Sequence, residues 1–199
     1  MFNTASNYCW KVVGVAVALA GLVAWSGTSQ GQTPTGQASA VTAVVLGNVT
    51  SLADSGTLAD PSEPLGTGQG TASIPGLLSG EALTAATVGW PDQVASEASL
   101  GNLVTSVAGT GISADVIISR ALAVSGAVPT GLSNIEGLTI GGVSVSPTGA
   151  PNQTVSVLGL SVILNEQIQS ANGIVVNALH VRTLDGLTDV VVGFAKAGI

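Results

Sequence analysis

LSVILNEQIQSANGIVVNALHVRTLDGLTDVVVGFAK, residues 160–196, consists of three apolar-rich runs separated by turn chemistry. Leu160 to Ile168, Ile174 to Leu184 and Thr188 to Lys196 are rich in β-branched residues, which suit a pleated, half-buried surface. Asn172-Gly173 and Asp185-Gly186 divide the runs, and such pairs readily adopt the positive φ that tight hairpins need. The pattern predicts a three-stranded antiparallel meander. Strict alternation places Val175, Asn177, Leu179 and Val181 on one face of its middle strand, with Ala178, His180 and Arg182 on the other. In the last strand Val190, Val192 and Phe194 form the matching apolar face.

The same grammar runs upstream. Val41 to Val49, Ala82 to Val88 and Leu103 to Val107 are short, β-branched and bounded by Gly, Pro, Asn or Asp. Between Ile112 and Val124, the positions Ile112, Ala114, Val116, Ile118, Leu122 and Val124 line one apolar face, opposite Ser113, Asp115, Ser119 and Ser125. Arg120 interrupts that face, either as a stem lying on the core with its head at a sheet edge, or as a buried guanidinium paired with Glu136 or Glu166. No stretch after residue 26 holds a helical period. The fold class expected is therefore all-β, an antiparallel β-sandwich over residues 41–199 with a closed β-barrel as the alternative, preceded by an N-terminal hydrophobic helix.

That helix is the run Val12 to Trp25, fourteen residues following Lys11. At about 1.5 Å per residue it spans roughly 21 Å, against a hydrocarbon core of about 30 Å. It suits a signal peptide over residues 1–26, with Ala24-Trp25-Ser26 as the cleavage site, or an uncleaved N-terminal membrane anchor. Residues 27–40 read as a flexible linker, rich in Gly, Ser, Thr and Gln around Pro34. Asp54 to Gly70 reads as a second irregular stretch, and its Gly66-x-Gly68-x-Gly70 spacing does not match a dinucleotide fingerprint.

Beyond residue 26 only Arg120, Arg182 and Lys196 face all eleven acids, a formal balance of −8. Nucleic acid and anionic lipid are poor partners for such a chain. The sole cysteine, Cys9, precedes the apolar run, so no disulfide can form in the remainder. An exported domain without disulfides must be held by its core.

Asn165-Glu166-Gln167, Asn177-Ala178-Leu179-His180-Val181 and Asp189-Val190-Val191-Val192-Gly193, within the segment from Ile135 to the end, resemble the choice-of-anchor P proteins of bacteria. The resemblance implies an exported, envelope-associated β-rich protein without an established catalytic activity. Ile199 is not preceded by an LPxTG-like or basic-tailed sorting signal, which points to secretion or N-terminal tethering.

His180 has Asp185 and Asp189 close in sequence, but no G-x-S-x-G elbow accompanies it, so a structural imidazole is expected. One histidine and one leader cysteine cannot build the usual zinc ligand sets. Asp54, Asp60, Glu63 and Asp92 could offer oxygens to calcium but lack the EF-hand spacing, and are read as solvated acids. Glu81, Glu97, Glu136 and Glu166 are the carboxylates from which a glycosidase pair would have to come. Trp90 is either a core plug or a surface anchor in a loop. Asn165, Glu166, Gln167, Asn177 and Arg120 are taken together as a structural polar network, in which Asn177→Leu is expected to lower stability. The sequons at Asn48 and Asn152 are read as unmodified in a bacterial protein.

The reading is thus an exported surface or extracellular-matrix protein, structural or adhesive and not an enzyme, with no cofactor. Its expected partners are envelope or matrix components and other copies, joined through sheet edges or by donation of the Val41 to Val49 strand. Nucleic acid is not among them, and membrane contact is expected only through a retained N-terminal segment. A secreted carbohydrate- or calcium-binding module is the alternative, and a hydrolase using His180 the least favoured class.

Overall fold

The computed structural model describes residues 33–199, so the apolar run, Cys9 and the linker up to residue 32 lie outside the described residues. The chain forms β1 (Thr35–Val45), β2 (Asn48–Asp54), β3 (Leu65–Ile74), β4 (Leu78–Trp90), β5 (Gln93–Val107), β6 (Thr110–Val124), β7 (Thr130–Glu136), β8 (Thr139–Ile140), β9 (Val143–Ser144), β10 (Gln153–Val157), β11 (Leu160–Gln169), β12 (Gly173–Thr183) and β13 (Thr188–Gly198). Every strand pair is antiparallel. One sheet, A, runs β10-β11-β12-β13-β1-β2; the other, B, runs β3-β4-β5-β6-β8-β9, with β7 also on β6. Strand order thus follows chain order around the molecule, and β13 closes the circuit by pairing with β1. No ladder joins β2 to β3 or β9 to β10, so the expected sandwich forms and the closed barrel does not.

Aliphatic side chains from both sheets fill the gap. Leu83, Leu100, Leu103, Ile112, Ile117 and Leu179 are among the largest fully buried side chains. Each such burial stabilises the fold by about 1.5–3 kcal/mol, which is how a chain with so few aromatics holds together.

The inward-facing residues change parity midway along both sheets. On β12, Ile174 and Val176 are buried below the change and Leu179 and Val181 above it; on β13, Val190 and Val192 give way to Ala195 and Ala197. The change lies on a transverse row. In sheet A that row passes through Ala53, Ala40, Gly193, Ala178 and Asn165, each missing from an otherwise constant register. In sheet B it passes through Gly70, Ala82, Asn102 and Asp115, with irregular pairing between Ser79 and Thr84. Ala53, Ala82, Asn102 and Asn165 have φ of 48°, 48°, 49° and 49°, and Gly193 has 67°. A left-handed residue swings the following side chains to the other face. Because a strand that flipped alone would present its polar face to the core, neighbouring strands must flip at the same level.

This row corrects several expectations. Below it on β6 the buried residues are Ile117, Ser119, Ala121 and Ala123, so Ser119 faces inward, while Arg120 and Leu122 point outward. Asn177 does not share the face of Leu179 and Val181, and Phe194 does not continue the face of Val190 and Val192. Three other boundaries move. The linker ends earlier than residue 40, since Thr35 already pairs with Gly198 and Ala38 and Ala40 are wholly buried. Leu65 to Gly70 belongs to β3, where glycine is tolerated because the strand is an edge. The Val41 to Val49 run breaks at the Leu46-Gly47 turn, and its first half is an interior strand between β13 and β2. A strand paired on both sides within its own chain is not free for donation to a neighbour.

Candidate functional site

The principal polar cluster sits on the outer face of sheet A, across the transverse row. β12 presents Asn177 and His180 there, β11 presents Glu166, and β13 presents Asp189. Glu166 is paired directly with Asn177, and Arg182 with Asp189, so His180 lies diagonally between two acids. His180 Nδ1 is 2.8 Å from Glu166 Oε2, and Nε2 is 2.9 Å from Asp189 Oδ1. Asn177 Nδ2 donates to the same Glu166 oxygen at 2.6 Å. The His180 side chain is 16% exposed, Glu166 15% and Asp189 34%. With both nitrogens engaged, the ring has no lone pair directed at a serine hydroxyl, and the cluster works as a tie across β11, β12 and β13.

The expected polar network divides in two. Asn165 and Gln167 point to the opposite face from Glu166 and Asn177. Asn165 Nδ2 donates to Gly149 O at 2.8 Å, and Gln167 Nε2 donates to Gly131 O and to Asn165 Oδ1, each at 3.0 Å. Two participants were not assigned to this network from the sequence: Asn152, whose Oδ1 accepts from Gln167 N at 2.9 Å, and Gln169, whose Nε2 donates to Pro129 O at 3.0 Å. These amides tie the lower half of β11 to β7 and the segment before it. Their alternation, Asn165-x-Gln167-x-Gln169, was the available signal.

Arg120 belongs to neither cluster. Its Nε contacts Glu97 Oε2 at 2.5 Å across β5 and β6, with the two side chains 56% and 46% exposed. Neither Glu136 nor Glu166 is its partner, because the parity change on β6 turns it outward. Such an exposed pair contributes about 0–1 kcal/mol.

Five of the remaining acids have local partners, while the Glu63, Asp92 and Asp115 carboxylates have none among the described residues. Glu81 accepts from Asn102 Nδ2 at 2.7 Å, and Glu136 from Asn134 Nδ2 at 2.9 Å. Asp54 accepts from Gly56 N at 2.8 Å and from Gln37 Nε2. The Ser62 backbone N–H and then its hydroxyl hold the Asp60 carboxyl below its ordinary range. The Thr183 hydroxyl and then the Leu187 N–H do the same for Asp185. Among the described residues no three His, Cys, Asp or Glu side chains converge as metal ligands. Trp90, at the end of β4, is 42% exposed, which favours the surface reading over the core plug.

Comparison with family models, curated proteins and solved structures finds no match to this chain.

Proposed function

We propose that the chain is an exported structural or adhesive protein of a bacterial cell surface or extracellular matrix, which presents its β-sandwich and joins copies through sheet edges. The observation that carries this reading is the chemistry of the edges. A strand with unpaired N–H and C=O groups is a template for another chain, and monomeric proteins blunt it with lysine, proline or a bulge. β10 ends sheet A with Gln153-Thr154-Val155-Ser156-Val157, without a charge or a proline. β3 ends sheet B with LGTGQGTASI, equally uncharged.

Other features support the same reading. Hydroxyl pairs such as Thr84 with Ser99 at 2.7 Å and Ser113 with Thr139 at 2.8 Å cover the faces. His180 is occupied at both nitrogens, which favours a non-catalytic role. The Val12 to Trp25 run supports export, and the likeness to choice-of-anchor P proteins from Ile135 onward supports an envelope setting. Assembly is tested by light scattering of the full chain over a concentration series, beside Thr154→Lys/Ser156→Lys. Both side chains are exposed on β10. The parent is expected to grow in mass with concentration and the lysine variant to remain monomeric; a parent that stays monomeric throughout refutes the reading. Exposed Trp90 beside Pro91-Asp92 favours the second reading, a carbohydrate-binding module, which saturable glycan binding lost in Trp90→Ala would select.

A further inference from the structure

The turns at one end of sheet A carry aliphatic side chains into solvent. Leu158, between β10 and β11, is 99% exposed; Leu184 and Leu187, between β12 and β13, are 73% and 51%; Leu46, between β1 and β2, is 69%, and Val49 just beyond it 67%. These positions are contiguous. Leu184 N donates to Gly159 O at 3.2 Å and Leu46 N to Leu187 O at 2.8 Å, so backbone hydrogen bonds hold the turns side by side. A cleft between the sheets behind Leu46 has a mixed lining, with Asn48, Thr50, Ser106 and Thr188 beside Ile74 and Leu77. A single exposed leucine is ordinary, but four leucines on three neighbouring turns, with Val49 at the start of β2 beside them, form an apolar patch of the kind that meets a partner.

We propose that this rim docks onto a neutral lipid surface. Its four leucines stand out from turn tips, Leu158 almost fully exposed, which fits a fluid apolar layer. The turn backbone is already satisfied: Gly186 N donates to Thr183 O at 2.9 Å, Leu187 N to Asp185 Oδ1 at 2.9 Å, and Thr188 N to Thr183 Oγ1 at 3.0 Å. Polar groups that bring their own partners enter an apolar layer at far lower cost than bare ones. Asp185, exposed in the same turn, accepts from Thr183 Oγ1 at 2.6 Å and from Leu187 N at 2.9 Å. Charge selects the kind of lipid. Among the described residues Arg182 is the only cation near the rim, beside Asp185 and Asp189, and the whole chain carries −7. Anionic headgroups repel such a surface, and a second copy would set the same acids against themselves; a zwitterionic layer does neither.

This inference goes beyond assembly through edges, since it needs the turns and not β10. The test uses the full chain with Cys9→Ser and one new cysteine carrying an environment-sensitive fluorophore, at Leu158→Cys on the rim or at Thr84→Cys on the outer face of sheet B. Because the label reports its own surroundings, the apolar run Val12 to Trp25 does not mask the result. On titration with phosphatidylcholine vesicles, the Leu158 label is expected to shift to the blue and to be quenched by lipid-borne quenchers, while the Thr84 label is unchanged. Adding Leu46→Ser and Leu187→Ser is expected to weaken the titration about tenfold. Silence at Leu158, an equal response at Thr84, or a response only with phosphatidylglycerol vesicles overturns the proposal. So does a Leu158 shift that rises with protein concentration in the absence of vesicles, which would assign the rim to a second copy.

Discussion

His180 and Asn177 meet the same Glu166 oxygen, yet their substitutions are expected to differ. His180→Ala removes two bonds to carboxylates and leaves Glu166 and Asp189 without their shared partner. A loss of about 2 kcal/mol is expected, since hydrogen bonds to charged groups contribute about 1.5–3 kcal/mol and this site is partly open to water. Asn177→Leu removes one bond to Glu166, but it also removes Oδ1, a buried acceptor with no protein partner. One bond to a carboxylate, about 1.5–3 kcal/mol, and one orphan of about 1–3 kcal/mol nearly cancel, so this variant should lie within about 1 kcal/mol of the parent. Chemical denaturation of both variants decides the matter; a larger loss in Asn177→Leu than in His180→Ala contradicts the geometry. Here the sequence alone pointed the other way, because it placed Asn177 in the core and supplied no sign of an unpaired oxygen.

The transverse row makes its own demand at the level of the strand. Ala82 is exposed and has φ of 48°, where an L-residue pays about 1–2 kcal/mol relative to the right-handed form, whereas glycine pays only about 0.5–1 kcal/mol in chain entropy. Ala82→Gly is therefore expected to raise stability by about 0.5–1 kcal/mol. Ala85→Gly on the same strand, at a buried and regular position, is expected to lower it. Equal losses in the two thermal melts would mean that the left-handed residues carry no strain. Strand existence was legible from β-branched runs and turn pairs, and the final meander appeared where residues 160–196 placed it. Side-chain direction was legible only up to the row. Alternation has no memory of a left-handed alanine, and alanine at Ala53 or Ala82 looks like any other strand residue. The faces of Arg120, Asn177 and Phe194 were misassigned for this one reason.

Residues 33–199 form a meander that follows its own circumference, and the edge strands β10 and β3 carry no charged side chain. Composition conveyed the class, an aliphatic sandwich without disulfides, because a period of two residues without helices has few other solutions. It could not show which strands would be edges. That depends on β1 inserting between β13 and β2, a pairing across nearly the whole chain, and it removed the strand that had looked free for exchange. Hydrogen exchange of the full chain, dilute and concentrated, tests assembly through edges most directly. If edges join copies, the amides of Gln153 to Val157 and of Leu65 to Ile74 will slow with concentration, while the interior amides of β12 and β13 keep their protection. Edge amides that exchange at the same rate at every concentration would contradict the account.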